Sequence, residues 1–292
     1  MSNKNCIIVT GGAGFVGSNL IKLLIDKTNY HIISLDNYSS GYKKNHIANK
    51  RIRYIKGDTK NINTYFKYPN RIHSIFHFGE FARIYQSFQN MDKCIESNSI
   101  GTNSVFKFCL ENNIKLVYSA TSASLGNNGD DKNLSPYAFS KAKNLEFLEN
   151  LKKWFNFKFE VIYFYNVYGP KQISKGNMAT VIGIFEEAYK NKKPLPVVKP
   201  GSQSRRFTHI DDTVEICYLA WKKNLSKHYS ITNKESFSIL EVAKMFKTKI
   251  KFLKKRPGER FVSALTSKNL SNQVYRYYGK KKLRDYISKI IS

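Results

Sequence analysis

The 292-residue sequence contains no run of about 18 consecutive apolar residues, the length that a membrane-spanning helix needs. The segment before Cys6 is short and polar and leads directly into an apolar strand, so no signal peptide is predicted. Cysteine is scarce: Cys6, Cys94, Cys109 and Cys217 are widely spaced and form no CxxC pair, which favours buried, reduced thiols. These absences predict a cytoplasmic protein with no membrane segment.

Acidic residues are also few, with 21 Asp and Glu against 49 Lys and Arg, and the formal net charge is +28. Such an excess is compatible with an anionic partner such as nucleic acid, a membrane surface or a phosphorylated ligand. The basic residues are scattered, however, and the only dense runs are Lys254–Arg256 and Lys280–Lys282. The pattern therefore favours solvated surface lysines that help to attract an anionic substrate, and no nucleic-acid partner is expected.

Residues 1–165 alternate short β-branched runs with longer segments of helical period. This alternation is typical of βαβ units, and right-handed crossovers then lead to an α/β fold, a doubly wound parallel sheet of the Rossmann type. The predicted strands are 6–10, 31–35, 52–55, 74–78, 115–119 and 159–164. The predicted helices are 16–26, 95–112, 136–156, 179–191, 211–223 and 238–247.

A glycine-rich segment, Thr10–Gly17, lies between the first strand and the first helix, and Gly11, Gly14 and Gly17 have the spacing GxxGxxG. Small residues at these positions allow a pyrophosphate to approach the backbone, and the helix N-terminus favours the anion. Because the motif follows a strand and opens an apolar helix, it predicts a dinucleotide site that includes Phe15 and Val16.

The second strand ends at Asp36, where the adenosine ribose of a dinucleotide lies in this fold. A carboxylate accepts hydrogen bonds from the ribose hydroxyls and repels a 2′-phosphate. No arginine stands directly after Asp36 to bind such a phosphate; the next residue is Asn37. The sequence therefore predicts NAD rather than NADP, bound by residues 1–168. Segment 207–223 is expected to pack back on this domain, and 169–292 is expected to form a smaller substrate-binding region.

Tyr137 and Lys141 form a YxxxK pair at the start of a predicted helix, and this pair resembles that of the short-chain dehydrogenases. Spacing of i, i+4 places both side chains on one helical face. A phenol with an ordinary pKa near 10 is a poor base at neutral pH. We therefore expect Lys141 and the cationic nicotinamide to lower the pKa of Tyr137 towards neutrality, so that it can remove a hydroxyl proton.

Further segments are similar to the extended members of that family, which act on nucleotide sugars, and the resemblance spans nearly the whole chain. The segments are Leu35–Asn37, Gly57–Asp58, His77–Glu80 with Arg83, Asn98–Thr102, Tyr163–Pro170, Arg205–Asp212 and Arg256–Glu259. The resemblance implies further cofactor contacts from Asp58, Phe78, Gly79, Asn98, Ser119 and Phe164. The resemblance also implies contacts with the substrate from Arg83, Thr121, Ser122, Asn166, Arg205 and Arg256. The guanidiniums of Arg205 and Arg256 would bind the pyrophosphate.

The chain departs from the family pattern at several positions. Dehydratases of the family carry Asp-Glu after the threonine, but Ser122 and Ala123 stand here, which disfavours dehydration. The loop from Thr121 to Tyr137 is shorter than in typical 4-epimerases. Glu80 replaces an alanine and is interpreted as an ion-pair partner or as a substrate-side group. Tyr163 replaces an arginine and, like Tyr165, is expected to pack in the core. His209 is expected to be a structural residue at a helix entry.

The resemblance implies an NAD-dependent enzyme that epimerises a nucleoside-diphosphate sugar at C4 through a transient 4-keto intermediate. Thr121 would bind the reacting oxygen; alternatively, Thr121 caps the strand end and Ser122 binds that oxygen in its place. Tyr137 and Lys141 would carry the proton chemistry. A net 4-dehydrogenase or 4-ketoreductase is the alternative, and a basic nucleic-acid-binding protein on the same fold is a more remote one. A homodimer that forms through the two helices flanking the fifth strand is expected. No bound metal is expected.

Overall fold

The computed structural model describes residues 4–122, 132–255 and 274–292. The strands are β1 (Cys6–Thr10), β2 (His31–Asp36), β3 (Ile52–Lys56), β4 (Ile72–His77), β5 (Lys115–Thr121), β6 (Phe159–Phe164), β7 (Val167–Tyr168), β8 (Leu195–Val198), β9 (Ser204–Arg206), β10 (Thr208–His209), β11 (His228–Thr232), β12 (Ser236–Ser238), β13 (Ile250–Leu253) and β14 (Val274–Tyr278). The helices are α1 (Phe15–Lys27), α2 (Ile62–Tyr65), α3 (Ile84–Gln89), α4 (Met91–Ile95), α5 (Thr102–Glu111), α6 (Pro136–Phe155), α7 (Val181–Lys190), α8 (Ile210–Lys223), α9 (Ile239–Met245) and α10 (Leu283–Ile291).

Eight strands form the central sheet in the order β14-β11-β6-β5-β4-β1-β2-β3, and every neighbouring pair is parallel. The chain winds outward from β1 through β2 and β3, then crosses to β4 and winds the other way. The predicted doubly wound α/β fold is therefore confirmed. The reversal between β1 and β4 is a topological switch point, and the crevice at the carboxyl ends of these strands is where ligands bind in such sheets.

The six predicted strands are confirmed, with ends within two residues of those observed. Two strands of the sheet, β11 and β14, were not predicted. The predicted helix 95–112 is divided, because a π turn at Glu96–Gly101 separates α4 from α5. Asn98 lies in this turn and hydrogen-bonds the backbone of Phe81, a contact that the sequence pattern does not reveal.

Two apolar layers sandwich the sheet. On one face α5 and α6 bury side chains such as Phe106 and Leu148, and on the other face α1 and α8 bury side chains such as Leu24 and Cys217. The helix α8 packs directly against α1. Tyr163 and Tyr165 lie in the first of these layers, as predicted. All four cysteines are buried free thiols, again as predicted.

A third core lies beyond the sheet and is built by elements of the C-terminal half. It joins α7, β8, α9 and α10 through the side chains of Ile182, Phe185, Leu195, Val197, Phe207, Phe237, Val242, Phe246, Leu283 and Ile287. Strand β13 extends β8 in a small parallel ladder, and β12 pairs with β9 in an antiparallel one. In the part of the chain that the structure describes, no helix is both long and apolar enough to cross a bilayer.

Candidate functional site

A cavity lies at the switch point, where the strands of the sheet end. Its walls include one residue at or near the end of each of five strands: Gly11, Asp36, Phe78, Ser119 and Phe164, which belong to or follow β1, β2, β4, β5 and β6. Parallel strands bring these distant positions to one edge because their carboxyl ends point the same way. We call this the cofactor cavity.

The glycine turn between β1 and α1 forms the floor of the cofactor cavity. Gly11 has φ +68°, and a Cβ there would lie 2.9 Å from the backbone of Gly79. A Cβ on Gly17 would lie 2.2 Å from the carbonyl oxygen of Gly11. Helix α1 begins at Phe15 without a side-chain cap, which leaves its first-turn amides for an anionic ligand. The turn therefore fits a pyrophosphate at close range.

Asp36 is 6% exposed and lines the same cavity. Its carboxylate accepts N–H groups of Ala13 (2.9 Å) and Tyr38 (2.7 Å). Burial raises the pKa of Asp36 above its ordinary value, and the hydrogen bonds from Tyr38 and Ala13 oppose that rise. These donors also aim the carboxylate into the cavity beside Asn37, so the two residues fit the ribose hydroxyls that a dinucleotide presents there.

Most residues predicted to hold the cofactor do line this cavity, namely Gly11, Gly14, Phe15, Val16, Gly17, Asp36, Asn37, Phe78, Gly79, Ser119, Tyr137, Lys141 and Phe164. Asp58 and Asn98 are not among the lining residues. Asp58 accepts a hydrogen bond from the Asn37 amide at 3.0 Å. Asn98 is fully buried and bonds both backbone polar groups of Phe81 and the hydroxyl of Ser140. Asn98 therefore supports the wall of the cofactor cavity without lining it.

A second cavity of about 540 Å³ adjoins the first and lies between the sheet and the third core. We call this the substrate cavity; its size falls within the range of about 300–1,000 Å³ that is typical of ligand pockets. It is lined by the predicted substrate residues Arg83, Thr121, Ser122, Asn166 and Arg205. Six residues line both cavities: Phe15, Val16, Ala82, Arg83, Tyr137 and Phe164. The two cavities therefore adjoin at these six residues.

Several of these side chains are held by the backbone around them. The guanidinium of Arg83 donates to the carbonyl oxygens of Ala82 and Met178, so it ties the start of α3 to the segment before α7. Asn166 donates to the carbonyl of Arg206 at 2.9 Å, and Arg205 donates to the carbonyl of Ser204 at 2.8 Å. The polar wall of the substrate cavity is thus assembled from segments that are far apart in sequence.

Tyr137 lies where the two cavities meet, and its side chain is 9% exposed. The pKa of Tyr137 is raised to about 12, chiefly by burial; a hydrogen bond with Thr121 and the charge of Arg83 oppose this rise, and the Glu80 charge adds to it. Lys141 by itself therefore does not bring this pKa towards neutrality, because the phenol is desolvated and a carboxylate stands beside the lysine. The expected joint effect of Lys141 and the cationic nicotinamide stays a prediction.

That carboxylate belongs to Glu80, which forms an ion pair with Lys141. Both side chains are almost completely buried, with 3% and 4% exposed. Lys141 also donates to the carbonyl of Ser119, and Glu80 lines the cofactor cavity. Of the two interpretations of Glu80, the ion pair is confirmed.

The remaining predictions concern other parts of the site. His209 caps α8 by accepting the N–H of Asp211, so its structural role is confirmed. Arg256 and Ala123 lie outside the described residues.

Cavity residues that the sequence analysis did not single out include Ser39, Ser40, Thr59, Ile173 and Met178. They stand on irregular segments without a recognisable motif, so no sequence signal identifies them. Within residues 4–122, 132–255 and 274–292, no group of His, Cys, Asp and Glu has a metal-binding arrangement.

Comparisons with known proteins agree with this geometry. The model of the NAD dependent epimerase/dehydratase family matches residues 7–233. An ADP-L-glycero-D-manno-heptose-6-epimerase of Brachyspira hyodysenteriae is 31% identical over 257 residues, which are 82% of this chain and 80% of the relative. A putative UDP-glucose 4-epimerase of Methanocaldococcus jannaschii is 28% identical over 287 residues, 93% and 88% of the two chains.

Solved structures show the same fold. The UDP-glucuronic acid 4-epimerase of Bacillus cereus, in complex with UDP-glucuronic acid and NAD, superposes with a TM-score of 0.84 at 24% identity. The superposition covers 97% of this chain and 96% of that one.

Proposed function

Because the chain belongs to the NAD-dependent epimerase/dehydratase family and is an NAD-dependent enzyme, we propose that it inverts C4 of a nucleoside-diphosphate sugar through a transient 4-keto intermediate. The observation that carries the proposal is the position of Tyr137, whose side chain lines the cofactor cavity and the substrate cavity at once. When bound, NAD supplies the reversible oxidation of the sugar carbon. A proton-transfer group at the junction is what this chemistry requires of the protein.

In this proposal Tyr137 takes the proton of the reacting hydroxyl and later returns it. Thr121 bonds the Tyr137 hydroxyl and lines the substrate cavity, so it orients the phenol and the sugar oxygen together. The charge of Arg83 lowers the pKa of Tyr137 and therefore favours the phenolate. Such a positioned acid–base group typically contributes a factor of about 10²–10⁴ to the rate.

The nucleoside diphosphate is proposed to lie along the polar wall of the substrate cavity. Arg205 and Asn166 stand on that wall, and a guanidinium binds phosphate oxygens through paired hydrogen bonds. The fit agrees with the complex of the Bacillus cereus enzyme, which holds a nucleotide sugar. Ser122 is a neutral residue on the same wall, where dehydratases of this family carry a carboxylate, so elimination of water is not proposed.

The proposal is tested by NMR on purified enzyme mixed with one nucleotide sugar at a time, without added oxidant. Interconversion of C4 epimers with no net NADH absorbance is the expected result, because an epimerase regenerates its oxidised cofactor in each cycle. UDP-hexoses are the first substrates, since one relative carries the name of a UDP-glucose 4-epimerase. Accumulation of NADH together with a keto-sugar would establish the 4-dehydrogenase alternative instead.

An ADP-heptose belongs in the same panel, because a second relative is named as a heptose-6-epimerase. Inversion at C6 of that sugar, with UDP-hexoses untouched, would move the reacting carbon away from C4 and contradict the proposal. The homodimer stays a prediction. Met91 on α4, Ile100 in the π turn and Phe139 on α6 are exposed apolar side chains, and sedimentation velocity measures the oligomeric state.

A further inference from the structure

Glu80 occupies an unusual position in this site. It follows β4 at the switch point, and its carboxylate is surrounded by donors although its side chain is only 3% exposed. Oε2 accepts the Lys141 ammonium. Oε1 accepts the hydroxyls of Thr102 (2.9 Å) and Tyr118 (3.1 Å) and the amide of Asn144 (3.3 Å). Four donors on three elements, α5, β5 and α6, thus converge on one carboxylate, so its position is fixed.

Lys141 is held just as firmly. Its ammonium donates to Glu80 and to the carbonyl of Ser119 and lies 4.4 Å from the ring centre of Tyr118. Burial lowers the pKa of Lys141, and the Glu80 carboxylate opposes that effect. An ammonium has three N–H groups, and Glu80 and Ser119 engage two of them. Glu80 therefore determines where the charge of Lys141 stands relative to Tyr137 on the same helix.

The charged and titratable groups that face Tyr137 and Lys141 come from four elements. They are Glu80 and Arg83 after β4, His77 of β4, Cys94 of α4 and Tyr118 of β5. Burial lowers the pKa of His77 to about 4 and raises the pKa values of Cys94 and Tyr118, so these three are neutral at physiological pH. The charged groups that act on Tyr137 are thus Glu80 and Arg83, and Glu80 is in turn paired with Lys141.

We propose that Glu80 is a positioning residue that fixes the Lys141 ammonium against β5 and offsets its positive charge beside Tyr137. In this protein the carboxylate makes the phenolate form of Tyr137 less favourable than an unpaired lysine would. The inference rests on the proposed function of Tyr137 as the acid–base group.

The test is a double-mutant cycle read by the ultraviolet absorbance of tyrosinate, with no substrate present. Each protein is titrated beside its own Tyr137→Phe version, so the difference isolates this phenol. Glu80→Gln keeps the shape and removes the charge, and we expect it to lower the Tyr137 pKa by about one unit or more, the effect of a nearby charge. Lys141→Met should raise that pKa, and the double variant should return close to the native value because a neutral pair has been removed.

Glu160→Gln is the matched control. Glu160 is fully buried, its carboxylate lies 3.9 Å from Lys115, and neither residue lines the cofactor or the substrate cavity. This variant should leave the Tyr137 titration unchanged. If Glu80→Gln folds poorly in a thermal melt, Glu80→Ala, which removes the carboxylate altogether, takes its place. If the pKa of Tyr137 is unchanged or raised when the Glu80 charge is lost, the proposal is wrong.

A second readout is the pH profile of turnover. The limb that reports deprotonation of Tyr137 should move to lower pH in Glu80→Gln and stay in place in Glu160→Gln. Because the absorbance titration needs no sugar, failure to find epimerisation would leave its result standing. Conversely, if the enzyme is an active epimerase and the pKa of Tyr137 does not change in Glu80→Gln, only the role of Glu80 is refuted.

Discussion

The two cavities that meet at Tyr137 are built in different ways. The cofactor cavity takes its walls from strand ends of one parallel sheet, and its shape depends on tight backbone contacts such as that between Gly11 and Gly79. The substrate cavity lies between the sheet and the third core and is enclosed by segments from both, including Thr121, Asn166 and Arg205. The difference teaches that binding of the cofactor follows from local motifs, whereas recognition of the sugar depends on how separate layers pack.

The residue that joins the two cavities should show the largest effect. Tyr137→Phe keeps the aromatic ring but deletes the ionisable oxygen, so turnover should fall by roughly 10² or more, while NAD affinity changes little. Steady-state kinetics and NAD titration measure the two quantities. Tyr163→Phe is the control, because its hydroxyl bonds His228 within the core at 3.0 Å and lies outside both cavities. Native turnover in Tyr137→Phe would place the base elsewhere.

The substrate cavity can be probed separately through Arg205. Arg205→Ala removes a guanidinium from its wall, so binding of UDP or GDP should weaken by about 1.5–3 kcal/mol, the range for hydrogen bonds to charged groups. NAD affinity should not change, and calorimetry measures both. Arg206→Ala is a control of equal charge, since Arg206 donates to the carbonyl of Asn233 at 2.9 Å and does not line the cavity. Equal nucleotide affinities in the two variants would refute the assignment of the diphosphate to this wall.

The smallest expected effect concerns the cofactor cavity. Because the buried carboxylate of Asp36 repels a 2′-phosphate, NAD should bind at least about tenfold more tightly than NADP, a difference of about 1.4 kcal/mol. Asp36→Asn keeps an acceptor for the N–H of Ala13 and should reduce this preference. Fluorescence titrations with both cofactors measure it. A native protein that binds NADP as well as NAD would remove the assigned role of Asp36.

Prediction from sequence succeeded most fully where chemistry depends on close spacing along the chain. Gly11, Gly14 and Gly17 line the cofactor cavity because a strand, a tight turn and a helix follow one another directly. Tyr137 and Lys141 share one face of α6 because helical geometry brings i and i+4 together. Asn98 shows the limit: its motif was recognised, but its buried contact with Phe81 depends on the path of another segment.

The doubly wound sheet, the glycine turn and the YxxxK pair could be predicted from the sequence, because hydrophobic period and local spacing are properties of neighbouring residues. Folding was needed to show that β11 and β14 extend the sheet, that Arg83 binds the carbonyl of Met178, and that the ion-pair partner of Glu80 is Lys141. The physical reason is that desolvation and charge pairing depend on distances between residues far apart in sequence. A raised pKa at Tyr137 therefore emerges only once the chain is folded.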